Sequence, residues 1–363
     1  WALEELPRME DPGPIDFEGL MQVVRGLPRT KAPGDDGWRY ADLRRWHRGL
    51  VKMLADFYGL VEREGRWPEE MGPNLVAMLP KGGTDDPMDR RPIVLLSTVY
   101  RVWAAVRAAQ MRCWLKQCGV LAPTGPERSA EGLAYSLALE ILVAQAEEER
   151  LAGVAYDWSK CYDRLPLRLL REVAEAAGVP ARLVEPMLHA YGLPRRVICE
   201  GLAGEVRVPT HGLTPGCPAA TDWLALLMTP WLKTVRGQDI EGKGRAYVDD
   251  IVGWKTGQYC LWAVERMVEA TLRFSGDTTL VLHDTKSCRF ATEQGDVTAM
   301  KMSGGPDVAE QFRDLGVKQI TDPGVKVDRS DRISSAVDKL GRIAVVPVGF
   351  LRRSRLVGTS GVP

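Results

Sequence analysis

Two acids stand back to back inside an otherwise apolar stretch, Arg245-Ala-Tyr-Val-Asp-Asp-Ile-Val-Gly-Trp254. Short apolar pieces on either side of a break read as two strands. Along a continuous strand, neighbouring side chains point to opposite faces. Asp249 and Asp250 can therefore serve one site only if the backbone turns where they stand. Carboxylates set between apolar strands are costly to bury unpaired, and a divalent cation would offset that cost. An exposed hairpin tip with solvated acids is the competing reading. Two more Asp-Asp pairs occur, Asp35-Asp36 and Asp85-Asp86, in loop-like surroundings, so a tandem pair alone decides little.

A third acid sharpens the choice. Gly153-Val-Ala-Tyr156 is a short apolar strand that delivers Asp157, followed by Trp158, Ser159, Lys160, Cys161, Tyr162 and Asp163. Two strands from distant parts of the chain, each ending in Asp, can bring carboxylates together on one sheet. Such an arrangement suits two Mg²⁺ ions about 3.5–4 Å apart, one activating an attacking oxygen and one holding the leaving group. Magnesium takes few protein carboxylates and leaves room for substrate phosphates. The chemistry implied is phosphoryl transfer on a diphosphate-bearing or polynucleotide substrate.

Composition narrows the classes without choosing among them. The 363 residues suit about two or three structural units. With 45% hydrophobic and 26% charged residues, a disordered tail, a fibre or a disulfide miniprotein is excluded. The 48 Lys+Arg cancel the 48 Asp+Glu, so phosphate binding must rest on local patches. Arg29 to Lys52 carries seven basic residues against three acidic, Arg101 to Lys116 four against none, and Lys326 to Arg355 eight against three. Glu127 to Arg150 runs the other way, six acids to two bases. Each run alone reads equally as a solvated helix face; basic runs separated by acidic ones suit a groove that grips phosphates. Seven scattered cysteines without a C-x-x-C spacing point to a reducing compartment. Four histidines far apart make a His-based metal site improbable. No apolar run reaches the roughly 18 residues of a membrane span. A chain that begins at Trp1 is expected to be a piece of something longer.

Periodicity predicts a weak helix over Phe17–Arg25 and a helix from Arg39 to Glu64 with Leu43, Trp46, Leu50, Leu54 and Phe57 inward. Lys31-Ala-Pro-Gly-Asp-Asp-Gly37 reads as a turn-rich loop, and Leu75–Leu79 as a strand. Val102, Trp103, Val106, Ala109, Cys113 and Trp114 form a second stripe. Ala134 to Arg150 is a third helix, carrying Leu137, Ile141 and Ala144. Helices follow over Arg168–Ala177, Asp222–Leu232 and Leu261–Phe274. Arg195–Val208 reads as a hairpin with Gly201 and Gly204 at its turn. Without a regular β-α-β alternation, the class is α+β.

At this point the residues resemble the reverse transcriptase family, most closely the non-LTR (LINE-like) retroelement enzymes. The likeness runs in order from about Leu27 to Val317. Lys31-Ala-Pro-Gly-Asp-Asp-Gly37 resembles the family's KAPGxDG block; Leu79-Pro-Lys81 with Arg91-Pro-Ile-Val-Leu-Leu96 resembles IPK…RPIxLL. Asp157-Trp-Ser-Lys-Cys-Tyr-Asp163 resembles DxSKAFD, Gly212-Leu-Thr-Pro-Gly-Cys-Pro218 resembles GxxQGCPLSP, and Tyr247-Val-Asp-Asp250 the YxDD box. Asp284-Thr-Lys286-Ser resembles NxxKS/T, and Phe312-Arg-Asp-Leu-Gly-Val317 the FxYLG primer-grip hairpin.

The resemblance implies an RNA-directed DNA polymerase shaped as a right hand, with helical fingers, an antiparallel palm sheet built on an RRM-like core, and a partial thumb. The expected segments are an N-terminal extension (1–60), fingers (61–150), palm through the primer-grip hairpin (151–320) and the start of a thumb (321–363). Asp157, Asp249 and Asp250, with the Trp158 carbonyl, would bind two Mg²⁺ ions, with Mn²⁺ as an alternative. Lys81 and Arg91 would clamp the incoming dNTP, as Arg matches phosphate oxygens bidentately. Tyr162 would sit under the sugar and reject a 2′-OH by clash; a core tyrosine is its other reading. Lys286 would protonate the departing pyrophosphate, or simply be solvated. Gly216 would let the backbone approach the base pair, and Leu315 and Gly316 would hold the primer end. The implied partners are an RNA template, a DNA primer or target and dNTPs, with no membrane. The implied place of work is where template RNA and target DNA meet, the nucleus in a cell that has one. Three departures stand out: Pro215 replaces the usual Gln, removing an amide and a backbone N–H; Ala219-Ala220-Thr221 replaces Leu-Ser-Pro; Cys161 replaces a common Ala. Pro215 and the neutral overall charge motivate an alternative, a catalytically degenerate relative that binds RNA as a scaffold.

Overall fold

Residues 3–28, 30–80, 90–120, 130–322 and 324 are described by the computed structural model. The chain divides into two units, Trp1–Thr321 and Asp322–Pro363. Nearly all of the second unit lies outside the described residues, and with it the thumb segment expected at 321–363. Lys81 and the Asp85-Asp86 pair lie outside them too.

Helices come first along the chain. The Asp16 carboxylate accepts from Gly19 N–H at 2.8 Å and so caps α1 (Phe17–Gly26). Spacing predicts one helix over 39–64, but two form, α2 (Tyr40–Leu43) and α3 (Arg48–Glu64). His47 makes the break: its backbone is extended, and its ring Nδ1 accepts from Gly49 N–H at 3.1 Å to cap a new helix. Restarting the helix resets its phase. Val51, Leu54, Ala55, Tyr58 and Val61 turn inward, and Leu50 of the predicted stripe is left exposed.

Strands β1 (Asn74–Leu79) and β2 (Arg91–Leu95) pair antiparallel before α4 (Thr98–Gln117). The Asp35-Asp36 pair finds its use here. Asp36 Oδ2 accepts from Ser97 Oγ at 2.8 Å and from Val99 N–H at 3.2 Å, pinning the turn-rich loop to the start of α4. Gly34 permits that approach, since a Cβ there would run into the Leu96 carbonyl. Of the predicted α4 stripe, Val102, Trp103 and Trp114 are buried while Cys113 and Ala109 face solvent. Helix α5 (Ala130–Ala146) stops short of the expected Arg150. Three glutamates at its C-terminal end would oppose the negative pole of the helix, and Glu148 instead takes a left-handed φ of 53°.

Then follow β3 (Leu151–Tyr156), α6 (Cys161–Arg164), α7 (Leu167–Ala176) and α8 (Ala181–Gly192). The hairpin of β4 (Arg195–Cys199) and β5 (Leu202–Arg207) turns at Glu200-Gly201, with φ of 53° and 82°. Gly204, expected at the turn, lies inside β5. The chain continues through α9 (Ala220–Arg236), β6 (Lys243–Tyr247), β7 (Asp250–Thr256), α10 (Cys260–Thr278), β8 (Cys288–Ala291) and α11 (Gln294–Met302). It ends in β9 (Asp307–Val308) and the hairpin β10 (Gln311–Asp314) and β11 (Val317–Ile320).

The strands form a four-stranded sheet, β2-β1-β4-β5, a five-stranded sheet, β6-β7-β3-β8-β9, and the β10-β11 pair. Pairing is antiparallel except between β1 and β4 and between β8 and β9. With helices packed on antiparallel-rich sheets, the architecture is α+β. The five-stranded sheet is covered on both sides, which explains its nearly unbroken apolar strands. A Cβ at Gly253 would meet Met267 of α10 and Val235 and Trp231 of α9. Val252 and Trp254 instead join Leu137, Ile141 and Ala144 of α5. At the sheet's centre, a Cβ on Gly153 would collide with the Phe290 ring and stand 2.6 Å from the Gly253 carbonyl oxygen. Gly153→Ala is expected to destabilise the fold by about 1–3 kcal/mol through overpacking, measurable as a lower urea midpoint with an unchanged slope.

Candidate active site

The acids meet because a turn and a register bring them together. Tyr247 faces Asp250 across β6 and β7, leaving Val248 and Asp249 as a two-residue turn. Val248 holds a φ of 59°, which costs a β-branched residue about 1–3 kcal/mol. That turn answers how adjacent acids can share a site: Asp249 occupies the turn and Asp250 opens β7. On the next strand, Tyr156 faces Ile251, so one further register step brings Asp157 beside Asp250.

A loop clasps the end of β3 from the other side. The Asp157 N–H donates to Ser287 Oγ at 3.3 Å, and its carbonyl accepts from His283 N–H at 2.8 Å. Ser159 N–H donates to the Val281 carbonyl at 2.8 Å. Lys286 Nζ stands 3.1 Å from Asp157 Oδ2, with the lysine side chain 60% exposed. An ion pair this open adds little stability, so its interest is that it holds a cation beside the acids.

The carboxyl groups sense one another. Burial pushes the Asp249 carboxyl up and Asp157 pushes it further, while its own backbone N–H, Lys286 and Arg91 draw it down. Asp250 is pushed up to about 7, first by burial, then by Asp249, Asp157 and Asp314, against Arg245. Its side chain opens onto solvent, so water screens part of that repulsion. Asp157 and Asp250 line a cavity of about 490 Å³ together with Thr285, Lys286, Leu315 and Gly316.

Among the described residues, no group of three or more His, Cys, Asp or Glu side chains converges as a metal cage. The donors nevertheless fit magnesium chemically. They are hard oxygens whose mutual repulsion a cation would relieve, and magnesium needs only one or two protein carboxylates beside water and substrate oxygens.

Other expected residues fall around this cluster. Arg91 begins β2, is exposed, and acts electrostatically on Asp249. Tyr162 lies half-buried in α6; burial, then Asp249 and Cys161, push its hydroxyl pKa up. Its carbonyl accepts from Leu213 N–H at 2.8 Å, joining α6 to the 212–218 loop. In that loop Gly216 has a φ of 98°, and a Cβ there would stand 3.3 Å from the Val94 carbonyl of β2. Its glycine character thus answers to turn conformation and strand contact. Trp158 turns its ring into the core against Phe274 at 5.8 Å, so only its main chain is available to the site.

Two features of the surroundings were not anticipated: the Ser287 hydroxyl under Asp157, and a buried ion pair between Arg245 and Asp314. A charged residue inside the apolar run at 245–254 was the visible signal for the second.

No protein-family model matches the chain. Over 159 residues, 42% of the chain, it is 25% identical to a Drosophila melanogaster protein described as "Probable RNA-directed DNA polymerase from transposon BS". The chain spans 17% of that protein's length. This is a distant and partial likeness to a transposon reverse transcriptase. Among the described residues, no helix is long and apolar enough to cross a membrane.

Proposed function

We propose that the chain is the RNA-directed DNA polymerase portion of a retroelement protein, adding dNTPs to a primer 3′-OH on an RNA template. The observation that carries this reading is that Asp157, Asp249 and Asp250 stand at one end of neighbouring strands, near enough for their carboxyls to act on one another, with Lys286 paired to Asp157. The likeness to the transposon polymerase supports it independently. In this reading the five-stranded sheet is the palm, the four-stranded sheet and its helices belong to the fingers, and the segment after residue 320 begins the thumb.

Each residue then has a task. Asp157, Asp249 and Asp250, with the Trp158 carbonyl, hold the metal. Two bound Mg²⁺ ions, or Mn²⁺, would activate the primer hydroxyl and stabilise the leaving pyrophosphate. Arg91, with Lys81, offsets charge on the triphosphate. Lys286 hands a proton to the pyrophosphate. The Gly216 backbone supports the nascent base pair, and the Leu315-Gly316 turn holds the primer end.

Primer extension on an RNA template with Mg²⁺ tests the reading. Incorporation is expected from the unaltered chain and not from Asp249→Ala. Pro215 favours a second reading, an RNA-binding scaffold without catalysis. Tight RNA binding with no extension at any Mg²⁺ or Mn²⁺ concentration would establish it. The sugar-sensing role of Tyr162 has its own check. Tyr162→Ala is expected to narrow the preference for dNTPs over ribonucleotides by about 10- to 100-fold, the scale of one lost steric contact. Unchanged discrimination would remove Tyr162 from the sugar site.

A further inference from the structure

Two tight turns bear on the acidic cavity. One joins β6 to β7, carries Asp249 and leads directly into Asp250, which lines the cavity; the other, Leu315-Gly316, joins β10 to β11 and lines it itself. Each opens on a non-glycine residue at positive φ, Val248 at 59° and Leu315 at 48°. Arg245 lies in β6, three positions before Val248, and Asp314 immediately precedes Leu315. Their side chains, each 5% exposed, form an ion pair that ties one hairpin to the other. Arg245 also donates to the Leu133 carbonyl of α5. Gln319 of β11 donates to the Ala134 carbonyl at 2.9 Å and to Asp314 at 3.4 Å. Phe312 stacks on Phe290 of β8 with ring centroids 4.6 Å apart.

Stability explains this arrangement poorly. A buried ion pair rarely outperforms a well-packed apolar pair, because both charges are first taken out of water. What a guanidinium adds is direction: its planar fork holds two acceptors in a fixed relation, here the Asp314 carboxylate through one nitrogen and the Leu133 carbonyl of α5 through the other. We propose that Arg245 and Asp314 are positioning residues, which set where the Leu315-Gly316 turn stands relative to Asp249 and Asp250 and hence where a primer 3′ end lies. The proposal rests on the polymerase reading.

The test is steady-state extension of a DNA primer on an RNA template, with thermal unfolding of each variant alongside. The informative variant is the apolar double, Arg245→Met with Asp314→Leu, which removes the fork without stranding a charge. It is expected to keep the Tm of the unaltered chain. Its KM for primer–template is expected to rise about 10- to 100-fold, the effect of misplacing a reacting group by about 1 Å. The KM for dNTP is expected to stay where it was. Arg245→Lys, which keeps the charge but loses the fork, is expected to fall between the two and serves if the double folds poorly. A folded variant with an unaltered KM for primer–template would overturn the proposal. So would activity lost only in proportion to the folded fraction, since that assigns the pair to stability. Absence of extension by the unaltered chain would overturn the polymerase reading and this one with it; variant effects confined to the dNTP KM would overturn this one alone.

Discussion

Asp249→Ala is expected to cut incorporation on a primed RNA template by about 10³-fold, on the scale of deleting one preorganised electrostatic element from an active site. The argument is local. Asp249 sits in the turn itself, and both Lys286 and Arg91 act on its carboxyl while Asp157 repels it. Removing it leaves Asp157 and Asp250 on adjacent strands but takes away the acid at the meeting point. The β6–β7 pairing runs through backbone groups on either side of the turn, so the substitution is expected to leave cooperative unfolding intact. Loss of activity with retained folding is the pattern to look for, by extension assay and thermal melt on the same preparation. Incorporation that survived the substitution would remove the acid cluster from the chemistry.

The largest expected effect on stability lies far from the cavity. Glu62 of α3 has a fully buried side chain and holds Arg107 of α4 through contacts of 2.7 and 2.6 Å. It also accepts from Trp103 Nε1 at 2.8 Å and from Arg182 of α8 at 3.2 Å. One carboxylate therefore ties three helices around the aromatic group of Tyr58, Trp67, Tyr100 and Trp103. Glu62→Leu strands the Arg107 guanidinium, which is 3% exposed, and is expected to destabilise the fold by about 3–5 kcal/mol. Adding Arg107→Met should recover much of that, because the penalty belongs to the uncompensated charge. Urea denaturation of the single and double variants decides it; equal midpoints for both would show that the lost Trp103 and Arg182 contacts dominate.

How much of this was legible in the residues depends on the range of the interaction. Strands β1, β3, β6 and β7 follow from short apolar runs, and the turn between the last two follows from the demand that Asp249 and Asp250 share a site. Phase was harder. Nothing in the spacing of Leu43, Trp46 and Leu50 marks His47 as a cap, yet that one ring nitrogen rotates the buried face of α3. The glutamates 147–149 extend a helical pattern on paper, while their charge at a helix C-terminus ends it. Gly204 and Gly201 look alike in sequence, and only the second takes a positive φ. Long-range polar contacts were illegible. Asp36 capping α4 spans about sixty positions, and Arg245 with Asp314 spans 69. Such pairs depend on where whole elements land, which local patterns do not encode.

The order in which the cavity's walls appear along the chain has a consequence during protein synthesis. Asp157 leaves the ribosome early, the Asp249-Asp250 turn much later, and Leu315-Gly316 last of all. A nascent chain therefore carries a growing set of mutually repelling carboxylates through a long interval before Lys286 and the final hairpin arrive to balance and enclose them. Contacts so distant in sequence form slowly, and a chain released before Gly316 would lack β11 and leave β10 without its pairing partner, open to other nascent strands.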